Sequence, residues 1–173
     1  MAGDDVLVAP NILEYPYKRT VGAVIGRFLT GLRDRRIEGI RTADGRVLCP
    51  PTEYDPVTGE TLSEDGFVAV GDAGTVTTWS WVQHVREEHP LDHPFAFALI
   101  KLDGADTGLF HAVDAGSPAA MSTGMRVQAR WRDEREGSIT DIVCFDPEGK
   151  NRPTEFKGAP GSQTLVVHER VKQ

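Results

Sequence analysis

Apolar residues follow two different periods along this chain. Val21, Val24, Ile25, Phe28 and Leu32 recur three and four residues apart, the spacing of one stripe on a helix. Thr20 is placed to cap its start, and the pattern runs to about Arg36. Gly22, Gly26 and Thr30 lie four apart on a second face. Glycine in a helix costs about 1 kcal/mol relative to alanine, so two in register predict that another backbone comes close there. That neighbour is either the domain's own sheet or a partner.

From Gly66 onward the period falls to two, and glycine and proline punctuate the chain. Gly74 to Val82 sets Thr75, Thr77, Trp79 and Trp81 against Val76, Thr78, Ser80 and Val82. Phe95 to Leu102 is apolar on both faces up to Lys101, as a buried strand would be. Gly108 to Val113 follows a turn at Asp103-Gly104. Met125, Val127, Ala129 and Trp131 alternate with Arg126, Gln128 and Arg130, and Ile139 to Phe145 is a fifth strand. Five strands with no long helix between them predict a mainly β protein with a closed OB-type barrel. Periodicity alone leaves a β-sandwich open.

The parts then order themselves as an arm over 1–19, a helix and irregular segment over 20–62, the barrel over 63–147 and a tail over 148–173. The arm carries Pro10 and Tyr15-Pro16-Tyr17. The tail ends on a short β-prone stretch, Thr164 to His168.

The segment from Ile40 to Gly59 has an unusual layout. Arg41 and Asp44 precede Gly45, and Asp55 and Thr58 precede Gly59. This is the spacing of two C-x-x-C-G turns in a zinc ribbon, yet none of the four positions is cysteine. Two carboxylates and a hydroxyl make a poor zinc site, and a guanidinium would repel the ion. The expectation is a degenerate, metal-free ribbon in which Arg41 bonds Asp44, Asp55 or both. Packing by Leu48, Pro50 and Tyr54 shares the work, because an exposed ion pair contributes only about 0–1 kcal/mol.

Composition narrows the function. The 173 residues are 39% hydrophobic, enough for a core. The acidic start lacks the apolar region of a signal peptide, and no apolar run reaches membrane-spanning length. Two distant cysteines, Cys49 and Cys144, form no disulfide framework and suit a cytoplasmic setting. A formal charge of −7 argues against nonspecific nucleic-acid binding. The charge is uneven, however: Lys18, Arg19, Arg27, Arg33, Arg35 and Arg36 face one acid, Asp34, within a short stretch.

Catalytic chemistry finds little support. His84, His89 and His93 match no metal-ligand spacing and read as a polar connection between the first two long strands. His111 reads as a half-buried structural histidine on its strand. No nucleophile elbow, phosphate loop or dinucleotide fingerprint occurs. Cys144 reads as an inert buried thiol, while Cys49, beside Pro50-Pro51, reads as more exposed. Trp79, Trp81, Phe95, Phe97 and Trp131 could stack bases, as OB-folds that bind single strands do, but packing is the commoner fate of such residues.

The order of parts carries a resemblance. "GLRDRRIEGIR", "VLCPPTEYDPVTG", "GTVTTWSWVQH", "PFAFALIKLDG", "GLFHAVDA" and "GMRVQARW" follow one another as in the "domain of unknown function 35" family, and the resemblance spans about residues 20–147. The Pro-Pro pair and the aliphatic-Leu-Asp-Gly strand end are its more specific elements. The resemblance implies an N-terminal helix and rubredoxin-like zinc ribbon joined to an OB-fold, with the ribbon's four ligand positions falling on Arg41, Asp44, Asp55 and Thr58. It implies no catalysis by the chain itself. Members accompany thiolase-superfamily enzymes that act on acyl-CoA thioesters. The wording "YPYKRTVGAVIGRFLTGLRDRR" and "PPTEYDPVTGE" is similar to the branch that partners aldolases of steroid side-chain degradation.

On that view the chain is a hetero-oligomer subunit of a carbon-carbon lyase or acyltransferase complex, with no cofactor of its own and acyl-CoA as substrate of the complex. Arg19, Gly22, Gly26, Arg27, Thr30, Arg33 and Arg36 on the helix, with Arg126 and Arg130 on a strand, are the candidates for meeting the partner or CoA phosphates. The same arginines could simply keep the surface soluble. A stand-alone acyl-CoA or small-molecule module is the alternative, and single-stranded nucleic-acid binding a weaker one.

Overall fold

The computed structural model describes residues 20–149. The arm, including Arg19, and the tail with its β-prone stretch lie outside them.

Helix α1 spans Gly22–Arg33 and is shorter at both ends than the apolar stripe predicts. Thr20 does not cap it. Val21 holds that position with no side-chain bond to the first turn. At the other end Asp34 and Arg36 both donate backbone N–H groups to the Gly31 carbonyl, at 2.9 and 2.8 Å. Arg35 sits at φ +56°, so the chain turns out of the helix as in a Schellman-type cap. The stripe buries Val24, Phe28 and Leu32 as expected and adds Leu29.

The glycine that packing requires is Gly31, where a Cβ would lie 3.0 Å from the Arg36 carbonyl oxygen. At Gly26 a Cβ would meet only Val21 Cγ2, at 3.9 Å. Among the described residues, then, the domain's own sheet does not pack against Gly26.

After the cap the chain forms β1 (Ile37–Arg41), β2 (Val47–Leu48) and, further on, β3 (Phe67–Val70). These pair antiparallel in the order β2-β1-β3, with Ile40 opposite both Leu48 and Phe67. Between β2 and β3, Tyr54 and Thr61 form an isolated bridge that closes a second turn.

Strands β4 (Ala73–Val82), β5 (Phe95–Leu102), β6 (Gly108–Val113), β7 (Arg126–Trp131) and β8 (Ile142–Pro147) form the barrel. It is closed, in the order β4-β5-β6-β8-β7, as the five-strand expectation required; the sandwich alternative is thereby excluded. The last strand starts later than expected, because residues 139–141 form a 3-10 turn. Asp141, buried, caps that turn by accepting N–H groups from Glu136, Gly137 and Ser138 at 3.0, 2.8 and 3.1 Å.

One irregularity corrects the alternation read for β4. A register shift between Val76 and Thr78 inserts an extra residue, as a bulge does. Val76 is fully buried before it, and Trp79 and Trp81 pack on the core after it. Residues of opposite parity therefore face inward on the two sides of Thr77, whose hydroxyl donates to the Leu99 carbonyl at 3.0 Å.

Phe28, Leu29 and Leu32 of α1, Ile37 and Val47 of the small sheet, and Val76, Ile100, Val127 and Phe145 of the barrel belong to one apolar cluster. Burial at about 25 cal/mol per Å² therefore ties all three parts together. The three tryptophans are partly buried and pack against this core.

Gly74 is where the barrel has least room. It pairs with Leu102 on one side and Val127 on the other, and a Cβ there would lie 2.6 Å from the Lys101 carbonyl oxygen. Gly74→Ala is expected to cost about 1–3 kcal/mol through overpacking, read as a lower urea midpoint at unchanged slope.

Candidate functional site

The two turns of the ribbon-like segment are held together by an arginine, but not the one expected. Gly45 and Gly59 stand at φ +89° and +73°, the left-handed conformations that let each turn reverse tightly. Arg46, directly after the first glycine, reaches back and across. Its Nε donates to Asp44 Oδ2 at 2.7 Å, and its Nη2 lies 3.2 and 3.1 Å from the two oxygens of Asp55. Arg41 instead donates to the Gly45 carbonyl at 3.1 Å.

The expected Arg41 clasp is therefore corrected to Arg46. Arg41 closes strand β1 and points along its own turn, whereas Arg46 leaves the turn between the two carboxylates. Thr58 takes no part through its side chain, which pairs with Glu60.

Asp55 is only 3% exposed and is well supplied with donors. Its Oδ1 also accepts the Val57 N–H at 2.8 Å. The Val57 amide first, and Arg46 after it, hold the Asp55 carboxyl below its ordinary value. Arg46, seconded by the Thr42 hydroxyl, lowers Asp44 from 3.8 to about 2. These residues do not fit zinc: there is no thiolate, and a guanidinium already occupies both carboxylates.

The cationic ridge expected on the helix is largely neutralised by acids that pattern reading did not pair with it. Arg27 bonds Glu38 at 3.0 Å and lies 4.1 Å over the Phe67 ring. Arg36 meets Glu38 and Asp34, both at 3.3 Å, and Arg33 lies 3.9 Å from Asp34. Gly22 stands beside the Glu53 carboxylate, and Thr30 lies half-buried against Gly137.

The strand arginines are paired as well. Arg126 grips Asp103 with two bonds of 2.7 and 2.6 Å and reaches Glu148 at 3.4 Å. Arg130 lies inside a buried polar cluster, 3.0 Å from Asp114, 3.4 Å from Asp146 and 2.6 Å from the Cys144 sulfur. Phosphate binding by Arg126 or Arg130 would have to displace these carboxylates.

Chemistry at that cluster is constrained by burial, which pushes the Cys144 thiol up to about 12. The thiol is therefore protonated at neutral pH. His93 faces carboxylates through both ring nitrogens, Asp92 at 2.8 Å and Asp114 at 3.3 Å, so neither nitrogen addresses the sulfur. Asp114, Cys144 and Asp146 could together reach a metal ion, but the Arg130 guanidinium stands among them. Cys49, expected to be more exposed, is buried, and its thiol too is raised to about 12. His111 is buried on β6 as a structural residue, with the Ala112 N–H bonded to its Nδ1. The loop carrying His84, His89 and His93 does connect β4 to β5.

One surface was not anticipated. Strand β5 is not buried on both faces: Leu99 is 38% exposed, and across from it on β6 Phe110 is 60% exposed. The Phe110 ring stacks on Phe97 at 5.0 Å. Phe97, Leu99 and Phe110 thus form an apolar strip on the outside of the barrel. The signal was present in the parity of Phe97 and Leu99, which share a face opposite the inward Ala98 and Ile100.

Residues 67–132 match the family model described as the ChsH2 C-terminal OB-fold domain. The match falls on the small-sheet edge and most of the barrel, and two solved structures share the fold. Among solved structures, a chain of the "Ltp2-ChsH2(DUF35) aldolase" aligns with a TM-score of 0.55 at 20% identity, over 75% of this chain and 98% of that one. A DUF35 protein of unknown function from Sulfolobus solfataricus aligns at 0.50 and 20% identity, over 62% of this chain and 78% of that one. No curated protein matches the sequence. No helix among the described residues is long and apolar enough to cross a membrane.

The clasp gives two expectations. Arg46→Met, which leaves buried Asp55 without its cation, should lower the thermal midpoint clearly more than Arg41→Met, compared by calorimetry of the full chain. Asp44 and Asp55 titrate lower folded than unfolded, so their contribution is present above about pH 4 and lost as pH falls toward 2. The stability gap between wild type and Arg46→Met should accordingly shrink across that range in pH-dependent urea unfolding.

Proposed function

We propose that this chain is a non-catalytic accessory subunit that binds and stabilises a thiolase-like enzyme acting on acyl-CoA thioesters, of the kind that performs aldol cleavage in steroid side-chain degradation. The observation that carries the reading is the alignment with nearly the whole length of a chain from the Ltp2-ChsH2(DUF35) aldolase, joined to the ChsH2 domain match over the barrel. In this reading the complex is cytoplasmic and the chain carries no zinc, Arg46 serving where a ribbon would hold its metal.

Two surfaces suit association. The Phe97–Leu99–Phe110 strip offers stacked aromatic rings, the residue class that anchors interfaces. The Gly26 face of α1 offers a helix backbone that a partner can approach closely. The arginines of α1 and of the turn after it contribute less than their number suggests, because Glu38 and Asp34 already hold Arg27, Arg33 and Arg36.

Affinity purification of the tagged chain from its own host, followed by mass spectrometry, should return a stoichiometric thiolase-like subunit. A clean monomer under mild salt would overturn the proposal. With the partner in hand, Phe110→Ala is expected to weaken association about tenfold or more, as loss of a central aromatic anchor does. Gly26→Ala should stabilise the free chain by roughly 0.5–1 kcal/mol while weakening the complex, read by urea unfolding and by titration calorimetry respectively.

A further inference from the structure

A cleft of about 490 Å³ opens between the small sheet and the barrel. One wall is Arg41, Gly45 and Val47; the other is Thr75, Lys101 and the turn that follows Lys101. Its size falls within the range of small-molecule sites, about 300–1,000 Å³.

The two cations in its walls differ from the arginines discussed above. With Arg46 performing the clasp, Arg41 uses one N–H on the Gly45 carbonyl and, among the described residues, has no carboxylate partner. Lys101 lies 3.7 Å from Asp106, a loose pair with both side chains about half exposed. Two carboxylates also line the cleft: Asp103, neutralised by Arg126, and Asp106, whose Oδ2 accepts the Val47 N–H at 2.9 Å and whose Oδ1 faces Lys101, so that Arg41 carries the cleft's surplus positive charge. Most of the donors on Arg41 and Lys101 thus remain for something else.

We infer that this cleft binds the phosphate group of a small phosphorylated ligand. A planar guanidinium offers paired N–H donors and an ammonium offers a point charge, and the two together suit the several oxygens of a phosphate. The inference does not depend on the partner proposal, since the cleft is formed within this chain alone.

The test is a titration of inorganic pyrophosphate into the isotope-labelled full chain, followed by amide chemical shifts, with succinate as the carboxylate control at equal ionic strength. Saturable shifts confined to Gly45, Lys101 and residues 103–106 are expected, with affinity at least tenfold lower in Arg41→Gln and in Lys101→Gln. Arg33→Gln, on the helix, should leave binding unchanged. Absence of localised saturation at millimolar pyrophosphate, or binding that survives both cleft substitutions, would overturn the site. Equal binding of succinate would overturn its assignment to phosphate. Because two variants on different elements are used, misfolding of one leaves the other as the test.

Discussion

Closure of the barrel at Gly74 is the constraint on which the other parts depend. There β4 meets β5 and β7 at one residue, and the absence of a side chain lets both neighbours approach. Closure brings the β5–β6 turn against the start of β4: Gly71 donates to the Asp103 carbonyl at 2.8 Å, and Asp103 returns its own N–H to Ala73 at 2.9 Å. The same turn carries Asp106, whose amide and carboxylate both bond Val47 of the small sheet. A tight spot in the barrel thus fixes where the small sheet sits, and with it the cleft between them.

The second organising theme is the pairing of arginine with carboxylate. Arg27, Arg36, Arg46, Arg126 and Arg130 each meet at least one acid. In a chain with an excess of acids, an arginine's surroundings are decided by which carboxylate the fold brings near, not by the local run of charge. Surface pairs of this sort add little stability each. Their larger effect is on recognition, because they remove most of the basic ridge.

This explains how far the sequence was legible. The five barrel strands were legible, with Phe95–Leu102 and Gly108–Val113 falling where the pattern put them, but periodicity left barrel and sandwich both open and gave no sign of β1 and β3. The helix end was not legible, because a cap at non-glycine Arg35 leaves no mark in a hydrophobic pattern. The β4 bulge was likewise hidden, since threonine and serine are at home on either face. The clasp was legible in kind but not in identity. Spacing singled out four positions and passed over Arg46, one residue beyond the first turn. Long-range partners such as Glu38 to Arg27, or Asp103 to Arg126, depend on the fold and could not be read locally.

The Arg46 clasp also bears on the order in which the chain assembles. All three of its side chains lie within residues 44–55, so the loop it closes is short and the entropy of closing it small. Barrel closure joins residues 73–75 to 126–128, a separation several times larger and correspondingly slower to search. The two turns can therefore be in place as a local unit while the barrel strands are still finding register. The small sheet then offers β3 a formed edge at β1, and the chain enters the barrel from an anchored end.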